Sequence, residues 1–166
     1  MKKTNLFFIA IIGLTTIIVT LIDVVKPSIL ISNSTKHNIY LYSGESIYGV
    51  EPNEEEVEEI MNETPQIIKP NEFKRVSPSI FGMMKNNTRI DIGWSVGNRQ
   101  SYYSISSGGQ PFTLSSDGRS CKVLITIYEK TSTLEEIKRG FCYKRITPFR
   151  DTYGQNLDKR LYHLKY

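Results

Sequence analysis

The nine residues Thr88–Val96, TRIDIGWSV, carry the plainest fold signal in the chain. Ile90, Ile92, Trp94 and Val96 alternate with Arg89, Asp91 and Ser95, the period-two pattern of a strand with one face buried and one face wet. Trp94 is the only tryptophan, and its regular place in the alternation marks it as core first and ligand platform second. Arg119–Glu129 repeats the pattern, with Cys121, Val123, Ile125 and Ile127 on a common face. The expected core is therefore Ile90, Ile92, Trp94, Val123, Ile125 and Ile127.

Outward from these two runs, punctuation by Gly, Pro, Asn and Ser divides the chain into short strand-length pieces. Ser28–Asn33 and Asn38–Tyr42 flank the polar stretch Ser34–His37, a hairpin by length, with Ile39 and Leu41 on one face and Tyr40 and Tyr42 on the other. Gln66–Ile68 and Phe73–Val76 flank Lys69-Pro70-Asn71-Glu72, which reads as a turn between paired strands. Ser77–Asn87 reads as a loop with Ile80, Phe81, Met83 and Met84 partly tucked in. After Thr88–Val96, Gly97-Asn98 turns, Gln100–Ser106 returns as a tyrosine-rich strand, and Ser107-Gly108-Gly109 turns again before Pro111–Leu114. Phe141–Thr147 is the last expected strand.

Two short helices are expected. In Pro52–Met61, Asn53 is placed to cap, Glu56 takes the capping-box position, and Val57, Ile60 and Met61 form an i, i+3, i+4 stripe. In Thr131–Arg139, Ser132-x-x-Glu135 or Thr133-x-x-Glu136 would cap, Leu134 and Ile137 would anchor, and Gly140 would stop the turn. The expected class is mainly β, an antiparallel sandwich-like domain or an α+β module with two short helices, preceded by one N-terminal transmembrane helix.

That helix comes from Leu6–Ile22, LFFIAIIGLTTIIVTLI, inside nineteen uncharged residues from Thr4 to Ile22. As a helix these would reach about 28 Å at ~1.5 Å per residue, close to a hydrocarbon core of roughly 30 Å. A cleaved signal fits less well: the run is long for one, and Thr20-Leu21-Ile22-Asp23 offers bulky side chains where a peptidase wants small ones. Lys2 and Lys3 precede the run, so the N-terminus is expected on the cytoplasmic side. The division follows: residues 1–5 cytoplasmic, 6–25 a single-pass signal-anchor in the cytoplasmic (inner) membrane, 26–149 an extracytoplasmic, periplasmic β-rich domain. Residues 150–166 form a tail, with Leu157, Leu161 and Leu164 at helical spacing, which reads foremost as a helix docked on its own domain.

Composition agrees with β-structure. The sequence holds ten Tyr and a single alanine, Ala10, a poor recipe for long helices. Net charge is +4, unevenly spread: seven glutamates and no base lie between Glu51 and Glu63, whereas Arg119–Tyr166 holds eleven Lys/Arg against five Asp/Glu. Without a long basic run or an aromatic nucleic-acid motif, the basic end reads as a solvated face, and no nucleic-acid partner is expected.

The two cysteines, Cys121 and Cys142, both fall on the more apolar faces of their expected strands, and outside the cytoplasm such a pair reads as a disulfide. A tight antiparallel hairpin would instead set Cys142 opposite a residue near Ile127, so the bridge demands a register offset or a different neighbour. A metal site has only His37 and His163 to draw on, without ligand spacing, and no metal or cofactor is expected. Three Asn-x-Ser/Thr triplets begin at Asn33, Asn62 and Asn86; a chain this rich in Asn, Ser and Thr produces them by chance.

No nucleophile elbow, P-loop, dinucleotide fingerprint or metalloprotease helix is present. The expected role is a non-catalytic protein-interaction domain, such as an envelope accessory subunit or an immunity protein, tied to the lipid bilayer through residues 6–25 and meeting a protein partner outside the cytoplasm. The rival is a hydrolase of cell-wall or glycan material whose two carboxylates meet only in space, roughly 5–9.5 Å apart in a deep pocket.

Overall fold

The computed structural model describes Phe8, residues 12–14, 25–51, 53–100, 103–138 and 140–149. Of the anchor segment 6–25 only Phe8, Ile12, Gly13, Leu14 and Val25 are among these, and the tail 150–166 lies outside them. Among the described residues no helix is long and apolar enough to cross a membrane.

Among the described residues nine strands form two sheets: β1 (Ser28–Asn33), β2 (Ile39–Ile47), β3 (Gln66–Ile68), β4 (Phe73–Val76), β5 (Thr88–Val96), β6 (Ser106–Ser115), β7 (Lys122–Ile127), β8 (Ser132–Ile137) and β9 (Arg145–Pro148). A four-stranded sheet runs β4-β1-β7-β8 and a five-stranded one β3-β2-β5-β6-β9. Two short helices, α1 (Glu54–Asn62) and α2 (Ile80–Met84), complete the described elements. The mainly β class is observed. Every pairing is antiparallel except β1 with β7, which run parallel from Ser28↔Lys122 to Asn33↔Ile127.

One buried cluster joins the two sheets. The four-stranded sheet contributes Ile29, Ile31, Val123, Ile125 and Ile127; the five-stranded sheet contributes Ile39, Leu41, Ile68, Ile90, Ile92, Trp94, Val96, Phe112, Leu114 and Ile146. The inward side chains come from alternate positions, as the strand pleat requires. Each large aliphatic group so buried adds roughly 1.5–3 kcal/mol over leaving it in water.

Several local expectations give way to these sheets. Ser34–His37 does not close a hairpin, because β1 and β2 belong to different sheets. The same holds for β3 and β4 across 69–72. Both connections are corners, and Asn33 holds them together. Its side-chain Nδ2 donates to His37 O and to Ile68 O, each at 2.8 Å, while its Oδ1 accepts from Thr35 N at 2.9 Å. The Thr35 hydroxyl lies 2.8 Å from both Asn33 Oδ1 and His37 O, and accepts from His37 N at 3.0 Å. Asn33 N donates to Glu72 O and Asn71 N donates to Asn33 O, so the second corner is bound to the first. Asn33 is fully buried. The sheets change partners where a polar residue supplies the hydrogen bonds that a ladder would have made.

Ser132–Ile137 is a strand, not the expected helical turn. It pairs with β7 in a hairpin, Ile127↔Ser132 through Lys122↔Ile137, closed by Tyr128 N donating to Thr131 O at 2.8 Å. The Ser/Thr-x-x-Glu signals are real, but the open edge of β7 offers a whole ladder of bonds, with Leu134 packed on the core. Conversely, Ile80–Met84 forms α2 where a loop is expected. Ser79 caps it, its Oγ accepting from Gly82 N at 2.9 Å, while Glu45 accepts from Ser79 N and from Ser79 Oγ. Of its residues only Gly82 and Met83 are buried; Ile80, Phe81 and Met84 stand in solvent rather than tucked in.

Gly108 and Gly109 do not turn the chain but continue β6, and of the described residues in the expected strand Gln100–Ser106 only Ser106 is in a strand. Gly108 lies opposite Trp94, and a Cβ there would come within 2.6 Å of the indole. Only glycine admits the tryptophan ring this close to the neighbouring backbone. Tertiary packing, not turn geometry, explains the pair.

The last expected strand is shorter and shifted, and this resolves the cysteine register. Arg145–Pro148 alone is paired, on the far edge of β6, where Pro148 has no further neighbour needing its missing N–H. Cys142 therefore sits in the segment that crosses from β8 in one sheet to β9 in the other, beside the start of β7. The Cys121–Cys142 disulfide forms there, with Cα atoms 5.7 Å apart.

Candidate functional site

Residue placement defines two ends of the molecule. At one end lie the starts of β1, β5 and β7 and the end of β2, with the disulfide and α2. At the other lie the corners at 34–38 and 69–72, the β5–β6 loop from Gly97, and the β7–β8 turn. The candidate site is a depression of about 570 Å³ on the outer face of the five-stranded sheet, toward this second end.

Register explains its floor. Tyr42, Gly93 and Gly109 form one row across β2, β5 and β6; Tyr40, Ser95 and Ser107 form the next. Two glycines side by side leave bare peptide between the tyrosine and the serines, so the sheet surface dips. Tyr42, Ser95, Ser107 and Gly109 line the dip, together with Trp94, Gly108 and Arg99 of the β5–β6 loop.

Short bonds hold that loop. Ser95 Oγ donates to Asn98 O at 2.7 Å, Tyr42 OH donates to Arg99 O at 3.3 Å, and Gln100 N donates to Asn98 Oδ1 at 3.0 Å. Gly97 adopts φ +84°, the left-handed turn conformation, and its N–H donates to Asn38 O at 2.8 Å. Arg99 is thus carried on a backbone fixed from beneath, with its side chain exposed. The site offers the Arg99 guanidinium, the Ser107 hydroxyl and the accepting side of the Tyr42 phenol over glycine backbone, while the Ser95 hydroxyl is buried and donates to Asn98 O. That set suits a planar carboxylate or a stretch of partner backbone.

Further along the outer face, side chains pair with one another. Arg89 Nε lies 2.7 Å from Asp91 Oδ1, and Ser46 Oγ donates to Asp91 Oδ2 at 3.4 Å. The Arg89 guanidinium stands 5.5 Å from the centre of the Phe149 ring, which meets Tyr48 at 5.4 Å. With the ion pair 33% and 45% exposed, its worth is roughly 0–1 kcal/mol. Asp91, a solvated carboxylate by sequence, is 45% exposed and also pairs with Arg89. Among the described residues no carboxylate lines the depression.

The structure places Ile90, Ile92, Trp94, Val123, Ile125 and Ile127 in the interior, with Trp94 also bordering the dip. It places Cys121 and Cys142 at the opposite end. Arg99 and Ser107 went unremarked in sequence because they sit in what looked like turns; the Gly108-Gly109 pair behind a lone tryptophan was the available signal. Asn33 is no glycan acceptor in this fold, its amide being consumed by the corner, whereas Asn62 and Asn86 are exposed. Among the described residues no three His, Cys, Asp or Glu side chains gather as a metal would need. Comparison of the chain with models of protein families, with curated proteins and with solved structures yields no match.

Proposed function

We propose that this chain is a single-pass membrane protein whose residues 6–25 span the cytoplasmic membrane, with the N-terminus inside and the β-domain outside. There the domain binds a protein partner and carries out no catalysis. The disulfide carries this reading. It bonds Cys121 to Cys142 beside the point where the chain enters the domain, and disulfides persist on the oxidising side of a membrane. That is the side Lys2 and Lys3 select by charge.

Binding rather than turnover is supported by the depression. Its rim residues Tyr42 and Arg99 belong to the types that dominate interface energetics, and among the described residues its lining contains no acid for paired-carboxylate hydrolysis. An envelope accessory subunit and an immunity protein are the two roles that suit such a layout.

The test uses the whole chain in its membrane. A reporter active only outside the cytoplasm, fused after Tyr166, is expected to give signal, and an inactive fusion overturns the topology. A photo-crosslinker in place of Tyr42 is expected to trap one defined protein, and Arg99→Glu to abolish the adduct. Hydrolysis of cell-wall or glycan polymer by the intact protein, lost on Asp91→Asn, would replace the binding reading with the enzymatic one.

A further inference from the structure

We propose that the disulfide end of the domain is a lipid-facing foot, seated in the headgroup layer of the bilayer that holds the anchor. This rests on residues 6–25 spanning that bilayer and adds where the domain stands relative to it.

The first observation is a tether. Tyr143 N–H donates to Val25 O at 3.1 Å, and Ser28 N–H donates to Cys121 O at 3.0 Å, so the entering chain is bonded to both sides of the disulfide loop. Val25 lies three residues beyond Ile22, the last residue of the apolar run. Fully extended, three residues reach about 10 Å. The polar layer on each side of the hydrocarbon is roughly 5–8 Å deep. A domain held this closely stands with the disulfide end on the bilayer surface.

The second observation is what that end displays. Phe141 and Tyr143, on either side of the bonded Cys142, are 79% and 65% exposed. On the same end, α2 presents Phe81 at 77% and Met84 at 73% exposure. The two groups are joined, since Lys144 Nζ donates to Lys85 O, the residue that ends α2. Tyr48 and Val50, just after β2, are exposed there too. Exposed Lys85, Arg119 and Lys138 lie on these loops beside exposed Glu45, Glu51 and Asp117, and the glutamate-rich α1 follows, so charge is mixed and the rings carry the reading. Aromatic rings of this kind settle at a membrane–water boundary.

The opposite end is mixed: Lys36, His37, Lys69 and Glu72 are exposed at its corners, but Phe73, Tyr103 and Tyr128 expose rings there as well. What sets the disulfide end apart is the tether, which brings its rings to the lipid. Because the anchor already supplies a high local concentration, each ring needs only weak affinity to stay seated.

The experiment uses the full chain reconstituted in vesicles of phosphatidylethanolamine and phosphatidylglycerol, with lipids brominated at shallow acyl positions as quenchers. Phe141→Trp and Phe81→Trp report the foot, and Phe73→Trp, 70% exposed at the opposite end, is the control. Trp94, buried in the core, gives the same background in all three. The emission of Phe141→Trp and Phe81→Trp is expected to fall roughly twofold more than that of Phe73→Trp. Equal quenching at all three positions, in protein that resists alkaline extraction, overturns the foot and leaves the anchor standing. Release of the protein by alkaline extraction overturns the anchor, and the foot with it.

Discussion

The two ends of β1 are fastened by different chemistry. At Ser28 the strand starts beside a covalent bridge, Cys121–Cys142. At Asn33 it ends in a buried amide whose oxygen and nitrogen are all engaged. The bridge acts chiefly by limiting the unfolded chain, and its contribution depends on a redox state that the protein does not control. The amide acts in the folded state alone and is indifferent to redox. The covalent clamp sits at the end bound to the entering chain, and the hydrogen-bonded clamp at the end proposed to meet the partner. The corner end is thereby held independently of the bridge.

The largest expected effect tests the amide. Asn33→Ala removes the Asn33 donor from Ile68 O and the acceptor from Thr35 N, while His37 O keeps the Thr35 hydroxyl, at about 1–3 kcal/mol for each group left unsatisfied. The expected total loss, after local relaxation, is about 4 kcal/mol, read by denaturant unfolding of the full chain in non-ionic detergent with Trp94 emission as the probe. A loss below about 1 kcal/mol would show that water replaces the amide and that the corner is not a clamp.

Next comes the bridge. Replacing both cysteines by serine is expected to cost about 3 kcal/mol, the chain-entropy value for a loop of this size. The two clamps are about 16 Å apart along β1 at ~3.3 Å per residue, so their effects are expected to add. Reductant should therefore lower the stability of the Asn33→Ala variant by the same amount as that of the parent. A clear departure from additivity would mean that the two ends communicate through the strand.

Two smaller effects sharpen the picture of each end. Gly108→Ala forces a methyl group against the Trp94 indole and is expected to cost about 2 kcal/mol, as overpacking does, with a shift in Trp94 emission as its signature. Ser79→Ala removes the α2 cap and is expected to cost about 1 kcal/mol. Its mark should be faster hydrogen exchange at residues 80–84, with the Asn33 corner unchanged.

Legibility in the sequence divides along the same physical line. Wherever a segment's pattern depends only on which side meets water, the residues announce it: Thr88–Val96 and Lys122–Ile127 alternate, and the glutamate-rich α1 lies close to where its capping residues predict. Wherever identity depends on a neighbour supplied by another part of the chain, the local signal misleads. Ser132–Ile137 has helix-capping spacing yet completes the edge of β7. Gly108-Gly109 looks like a turn yet continues β6, Gly108 making room for Trp94. Asn33-Ser34-Thr35 looks like a loop or a glycan triplet yet ties two corners together. The depression shares that origin, because Tyr42, Gly93 and Gly109 meet only through strand register.

The sequence by itself therefore determined the mainly β class, the inward-facing positions of the central strands and the apolar run Leu6–Ile22. Alternation and hydropathy are properties of a segment and its solvent, so they can be read before any partner is known. Only the tertiary structure decided which strands share a sheet, that β1 and β7 run parallel, and how Cys142 reaches Cys121 from a crossing segment. Those are choices among competing long-range pairings. They are settled by the hydrogen bonds and burial that two distant segments gain together, which neither segment carries alone.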